Sequence, residues 1–136
     1  MPAKPVVTGI KGEDDTGTTI RERSMLCIGL WNTNEKPVAN LLLRLAAEHS
    51  LNVLVLLELR ESWQEMLESL NATKTQWFWA RGTCDRVSIF TKFSDTLIRK
   101  ISESQTYTIR RIALPGLPDV LLAAVHLHSR LGQSEK

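Results

Sequence analysis

Three places in this 136-residue sequence set a polar side chain just beyond a short apolar run. Asn32 and Asn34 follow the run from Met25 to Trp31, Glu58 follows Val53-Leu-Val-Leu-Leu57, and His126 and His128 close the run that starts near Asp119. In an open sheet, strand ends that point the same way gather on one edge, where ligands usually bind. One carboxylate with amide oxygens and water makes a poor zinc site but a workable magnesium site, because that hard ion takes one or two carboxylates and keeps several waters. Magnesium held there would polarise a phosphoryl oxygen. Each residue also has a plainer role. An Asn at a strand end commonly forms a turn, and a Glu closing a strand is commonly solvated. His126 and His128 stand two apart on one face of a strand, yet no third ligand completes a transition-metal site, so one of them reads as a hydrogen-bond donor. Trp77 and Trp79 share a face, as a base-stacking platform or as an aromatic core pair. Arg81, Arg86, Arg110 and Arg111 either meet phosphate or lie on solvated faces.

The elements that must position these residues follow from periodicity. The continuous apolar run from Met25 predicts a buried strand ending in the polar Asn32-Thr-Asn34 loop. Pro37 suits the first turn of a helix, and Val38, Leu41, Leu42, Leu45 and Ala46 recur at helical spacing, which predicts a helix over 37–49. Asn52 to Glu58 reads as a second buried strand, parallel to the first after the helix, giving a βαβ unit. Ser62-Trp-Gln-Glu65 is a capping-box pattern, and Met66, Leu67 and Leu70 stripe a shorter helix ending near Asn71. The second half alternates strands with turn residues over 76–79, 86–91, 105–114 and 119–126, which predicts antiparallel neighbours. Pro115-Gly-Leu-Pro118 supplies the turn that makes the last two a hairpin.

Size and composition set limits. A chain of this length forms one domain, since domains usually need roughly 100 to 200 residues each. With 17 basic and 15 acidic residues the net charge is +2, too small a field to pull in nucleic acid or anionic lipid by itself. No apolar run approaches the ~20 residues of a membrane helix. Cys27 and Cys84 form no CxxC pattern and read as reduced thiols. Residues 1–24 show no hydrophobic periodicity and no secretory apolar stretch, so they read as a disordered leader ahead of a domain over 25–136. Met25 then stands as a candidate natural start. The thiols and the missing signal together point to the cytoplasm.

Four segments carry a resemblance. Leu30-Trp-Asn-Thr-Asn34, Leu54-Val-Leu-Leu-Glu58, Arg86-Val-Ser-Ile-Phe-Thr91 and Ala124-Val-His-Leu-His-Ser129 occur in an order that resembles the first half of the endonuclease/exonuclease/phosphatase superfamily. That group includes DNase I-like nucleases, apurinic-site endonucleases, inositol-polyphosphate phosphatases and sphingomyelinases. The resemblance implies an α/β fold that is half of a four-layer α/β sandwich, with a mixed sheet carrying helices on one face. It also implies magnesium-dependent hydrolysis of a phosphodiester or phosphomonoester, with manganese as a substitute ion. By the same resemblance Glu58 is the metal ligand, Asn32 and His126 are catalytic residues at the scissile phosphate, and Asn34 is a phosphate-binding position. His128 receives no role. Asn52 stands where the family often has an aspartate, a departure of little weight for the metal.

The family's second half supplies an Asp-x-Asn motif and a Ser-Asp-His motif that orient the attacking water and the general base. Neither occurs in these 136 residues. General-base assistance typically contributes ~10² to 10⁴ in rate, so the expectation is a truncated, weak or inactive hydrolase whose substrate, nucleic acid among the options, is not specified. In the family each half supplies one of two facing sheets. A lone half would expose an apolar face and associate through it, with Leu54, Leu56, Leu122 and Val125 as candidates. The rival reading is a non-catalytic α/β interaction module in which the same polar strand ends are only turns.

Overall fold

The computed structural model describes residues 4–11 and 25–127. Among these described residues, eight strands and two α-helices make up an α/β protein with two separate sheets. The first strand, β1 (Val6–Lys11), pairs antiparallel with β2 (Met25–Asn32) along its whole length. Helix α1 (Ala39–Glu48) then carries the chain back so that β3 (Val53–Leu57) lies parallel to β2. After α2 (Trp63–Asn71) come β4 (Phe78–Trp79) and β5 (Val87–Thr91), and β5 pairs antiparallel with both β3 and β4. The mixed sheet therefore runs β1-β2-β3-β5-β4. A 3₁₀ turn (Asp95–Leu97) leads into β6 (Ile98–Glu103), β7 (Tyr107–Ile112) and β8 (Val120–Val125), a three-stranded antiparallel sheet.

The period of two along β3 decides the layering. Leu54 and Leu56 face the helices with Leu42, Ala46, Met66, Leu70 and Phe90, while Val53 and Val55 face the second sheet with Ile28, Ile89, Ile98, Ile112 and Ala124. All of these side chains are buried. Burying a Leu, Val or Phe side chain contributes about 1.5 to 3 kcal/mol, so β3, apolar on both faces, forms the centre of both cores. Gly29 on β2 lets Leu51 reach the sheet: a Cβ there would stand 2.6 Å from Leu51 Cδ1.

Helix α2 starts as its sequence predicts. Ser62 Oγ accepts from the Glu65 N–H at 3.2 Å, and the Glu65 carboxylate accepts from the Ser62 N–H at 3.4 Å. Helix α1 has no side-chain cap, and its first turn closes with the Leu42 N–H donating to the Val38 carbonyl at 2.9 Å. The βαβ unit, both helices and the final hairpin match the elements expected from the sequence.

Four expectations need correction. Residues 6–11 are an edge strand, not part of a disordered leader, because Val6-Val-Thr-Gly-Ile10 is β-branched enough to pair with β2 and Ile10 packs on the core. Residues 12–24 lie outside the described part. Leu54 and Leu56 are not an exposed face, being 1% and 0% exposed under the helices. The chain supplies two facing sheets, not one, and the second covers the face that Val53 and Val55 present. Residues 98–103, unassigned in the sequence reading, form β6, whose single buried residue is Ile98. What stays open is the seam at the sandwich edge, where Leu30, Val125 and Val6 are 38%, 49% and 58% exposed.

Candidate functional site

Three strand ends meet at one corner of the sandwich. Asn32 ends β2, Glu58 follows β3, and His126 follows β8 on the other sheet. The His126 Nε2 stands 3.2 Å from Glu58 Oε2, with the imidazole 10% and the carboxylate 27% exposed. The Asn32 side chain also hydrogen-bonds the Glu58 carboxylate. A carboxylate only accepts, so the amide N–H of Asn32 is the donor. Its Oδ1 faces the other way and accepts from the Asn34 N–H at 3.0 Å. Asn32 thus orients Glu58 and ties the following loop to it.

The backbone beneath this corner is tightly held. Glu58 has φ 53°, a left-handed conformation that a glutamate rarely adopts. Its N–H donates to the Arg86 carbonyl at 3.2 Å, and its own carbonyl accepts from Thr33 Oγ1 and from the Glu35 N–H, both at 2.8 Å. Asn34 and Glu35 are also left-handed, at φ 50° and 58°. The loop after β2 is therefore folded over the end of β3 rather than away from it. His126 is fixed by its N–H, which donates to the Thr106 carbonyl at 2.7 Å. Backbone strain of this kind persists only where surrounding bonds over-determine it, and it clusters at functional sites.

The Glu58 carboxyl is held below its ordinary value, first by the hydrogen bond from Asn32. Partial burial works against this, and the hydrogen bond and charge of His126 and the charge of Arg86 reinforce it. The acid is kept ionised in a corner that it shares with a cation and an imidazole. No group of three or more His, Cys, Asp or Glu side chains able to hold a metal ion occurs among the described residues. The donor set is one carboxylate with an amide and an imidazole beside it. That fits a magnesium ion that keeps most of its water, and it does not fit zinc.

Of the residues singled out in the sequence, Asn32, Glu58 and His126 come into contact. Asn34 is exposed in the adjoining loop, and His128 lies outside the described residues. Asn52 sits at the other end of β3, where its Oδ1 accepts from the Cys27 N–H at 2.7 Å. Trp77 is core, 3% exposed, with Lys92 Nζ 5.3 Å from its ring centroid, while Trp79 stacks on Trp63 with centroids 3.9 Å apart. Arg110, read as a phosphate contact or a solvated residue, is neither. It is 4% exposed and paired with Glu103 at 3.2 Å. The sequence reading missed Thr33, fully buried with its hydroxyl on the Glu58 carbonyl. Its place between two exposed-type asparagines was the available signal.

Comparison of the chain with known family models, with curated proteins and with solved structures returned no match.

Proposed function

We propose that the chain is a magnesium-dependent phosphoesterase of the endonuclease/exonuclease/phosphatase type, its two facing sheets forming part of a DNase I-like four-layer sandwich. The observation that carries this reading is the convergence of Asn32, Glu58 and His126 from three strand ends and two sheets onto one ionised carboxylate. A turn-forming asparagine or a solvated glutamate would require none of these contacts. Glu58 would hold the metal, with manganese as a substitute, and the bound ion would polarise a phosphoryl oxygen and offset its charge. Asn32 holds the carboxylate in place through its amide N–H. His126 meets the same carboxylate through its Nε2 and would help hold it beside the phosphate, and Asn34 lies in the loop that would border the phosphate.

Nothing among these side chains is positioned as a general base for water, and the Asp-x-Asn and Ser-Asp-His motifs are missing from the sequence. The chain by itself is therefore a weak hydrolase. Magnesium titration followed by NMR tests the reading. Shifts centred on Asn32, Glu58 and His126 are expected. Their absence, even with a second half-domain supplied in trans, sinks the assignment.

A second reading, an interaction module, is favoured by the sandwich seam. Val6, Leu30, Leu122 and Val125 line an apolar groove of about 370 Å³ there. The two readings are compatible, because the groove and the polar corner are formed by different side chains.

A further inference from the structure

The apolar groove at the sandwich seam runs into the Glu58 corner along two strands at once. On β2, Ile28 and Leu30 line the groove, and the next residue in that phase of the strand is Asn32. On β8, Leu122 and Ala124 line it, and the next residue in the same phase is His126, one position past the strand. Val55 of β3 also lines it, three residues before Glu58. At ~3.3 Å per residue, two residues of strand carry each wall about 7 Å from hydrocarbon to the polar corner.

The groove itself offers little but hydrocarbon. Among the described residues that line it, Thr8 alone has a polar side chain, and none is aromatic. A ligand seated there gains by burying aliphatic surface, and a nucleobase would find no ring to stack on. The volume of about 370 Å³ is that of a small-molecule site. Val6 and Leu30, 58% and 38% exposed, are the side chains such a ligand would cover. A second copy of the chain would also cover them, but it would gain nothing from walls that end in an amide, a carboxylate and an imidazole. A hydrocarbon chain with a charged head uses both parts.

We propose that the groove is a subsite for the hydrocarbon chain of an amphiphilic phosphoester whose phosphate lies at the Glu58 corner. The proposal names a substrate class for the phosphoesterase reading and rests on that reading for the place of the phosphate.

The test is an NMR titration of the full chain, with magnesium present, using inorganic phosphate, butyl phosphate, octyl phosphate and octanol in turn, each below its micelle concentration. Octyl phosphate should shift the methyl signals of Leu30, Val55 and Leu122 together with the amides of Asn32, Glu58 and His126. Each methylene that is fully buried is worth roughly 4-fold in affinity, so octyl phosphate should bind at least about 10-fold more tightly than butyl phosphate. Octanol should shift the groove alone and bind roughly 10-fold more weakly than octyl phosphate. Val6→Ser and Leu30→Ser, both at exposed positions, should each weaken octyl phosphate by roughly 5-fold and leave the inorganic phosphate shifts unchanged. Equal binding of butyl and octyl phosphate, with shifts at the corner only, would overturn the subsite and keep the phosphoesterase reading. Equal binding of octyl phosphate and octanol, with no shift at the corner, would overturn both. Groove signals that move with protein concentration and ignore octyl phosphate would give the groove to a second copy and overturn the proposal.

Discussion

His126 and Glu58 belong to different sheets, and their 3.2 Å contact bridges the sandwich at the point where both strands have just ended. The bridge closes a short circuit of bonds. Asn32 reaches Glu58 from β2, the Thr33 hydroxyl holds the Glu58 carbonyl, and the His126 N–H is anchored on Thr106. A side chain held from so many directions has little freedom left to lose when a ligand arrives, which is the physical meaning of a preorganised site.

The left-handed backbone at Glu58 separates strain from side-chain function. Glu58→Ala loses the hydrogen bonds and keeps the strain, whereas Glu58→Gly loses both. The glycine variant should therefore be more stable than the alanine variant by about 1 kcal/mol, measured by urea denaturation. Both should lose magnesium-dependent NMR shifts. Equal stability of the two would mean that φ 53° costs nothing here.

Acid should unfold the protein through two named carboxylates. Glu58 and Glu103 both titrate below the ordinary value of 4.5 in the folded chain. For Glu103 burial pushes the other way, and the Thr83 N–H, the Thr108 and Thr83 hydroxyls and the Arg110 charge outweigh it. A depressed folded-state value means that the unfolded chain binds protons first, so this stabilisation is complete above the ordinary value and is lost as pH falls through the folded ones. Denaturation curves should be nearly flat from neutrality down to about pH 5 and weaken steeply below about pH 4. Glu58→Gln should flatten that slope in part.

Arg110 and Glu103 make a buried pair, each side chain 4% exposed, between the second sheet and the loop that carries Gly82. Removing one partner strands the other charge in the interior. Arg110→Ala should cost ~3 to 5 kcal/mol, while a double replacement by apolar residues of similar volume should cost much less. Thermal denaturation of the single and double variants checks this.

Leu56 of β3 and the seam residue Val125 should respond oppositely to charge. Leu56→Asp places a carboxylate in a fully buried position and should unfold the chain, seen as lost tertiary signal in near-UV circular dichroism. Val125→Asp, at a half-exposed position, should keep the fold and reduce self-association in sedimentation velocity. An unchanged sedimentation profile would remove the seam as an association surface.

Much of this architecture was legible because each element carried its own local signal. The Ser62 to Glu65 box, the stripe through Leu42 and Ala46, and the proline-glycine turn before β8 each act within a few residues. The errors arose where the outcome depends on a distant partner. Leu54 and Leu56 cannot be told from Val53 and Val55 by pattern, since every one of them is apolar, and only the placement of helices and second sheet decides which face each meets. Arg110 was misjudged for the same reason: its pairing with Glu103 requires β6, whose residues from Arg99 to Ser102 look solvated and are. At the candidate site the residue types were readable and the contacts were not, because Asn32, Glu58 and His126 are joined only through the full sheet order.

Strand β1 sets a condition on where synthesis can usefully begin. A polypeptide initiated at Met25 would leave the outer edge of β2 from Met25 to Leu30 without its antiparallel partner, a largely apolar ribbon still paired to β3 on its other side. Such a ribbon is a template for a neighbour's strand, the first step of cross-β growth. The six residues from Val6 to Lys11 cover that edge, so a form lacking them should self-associate more readily.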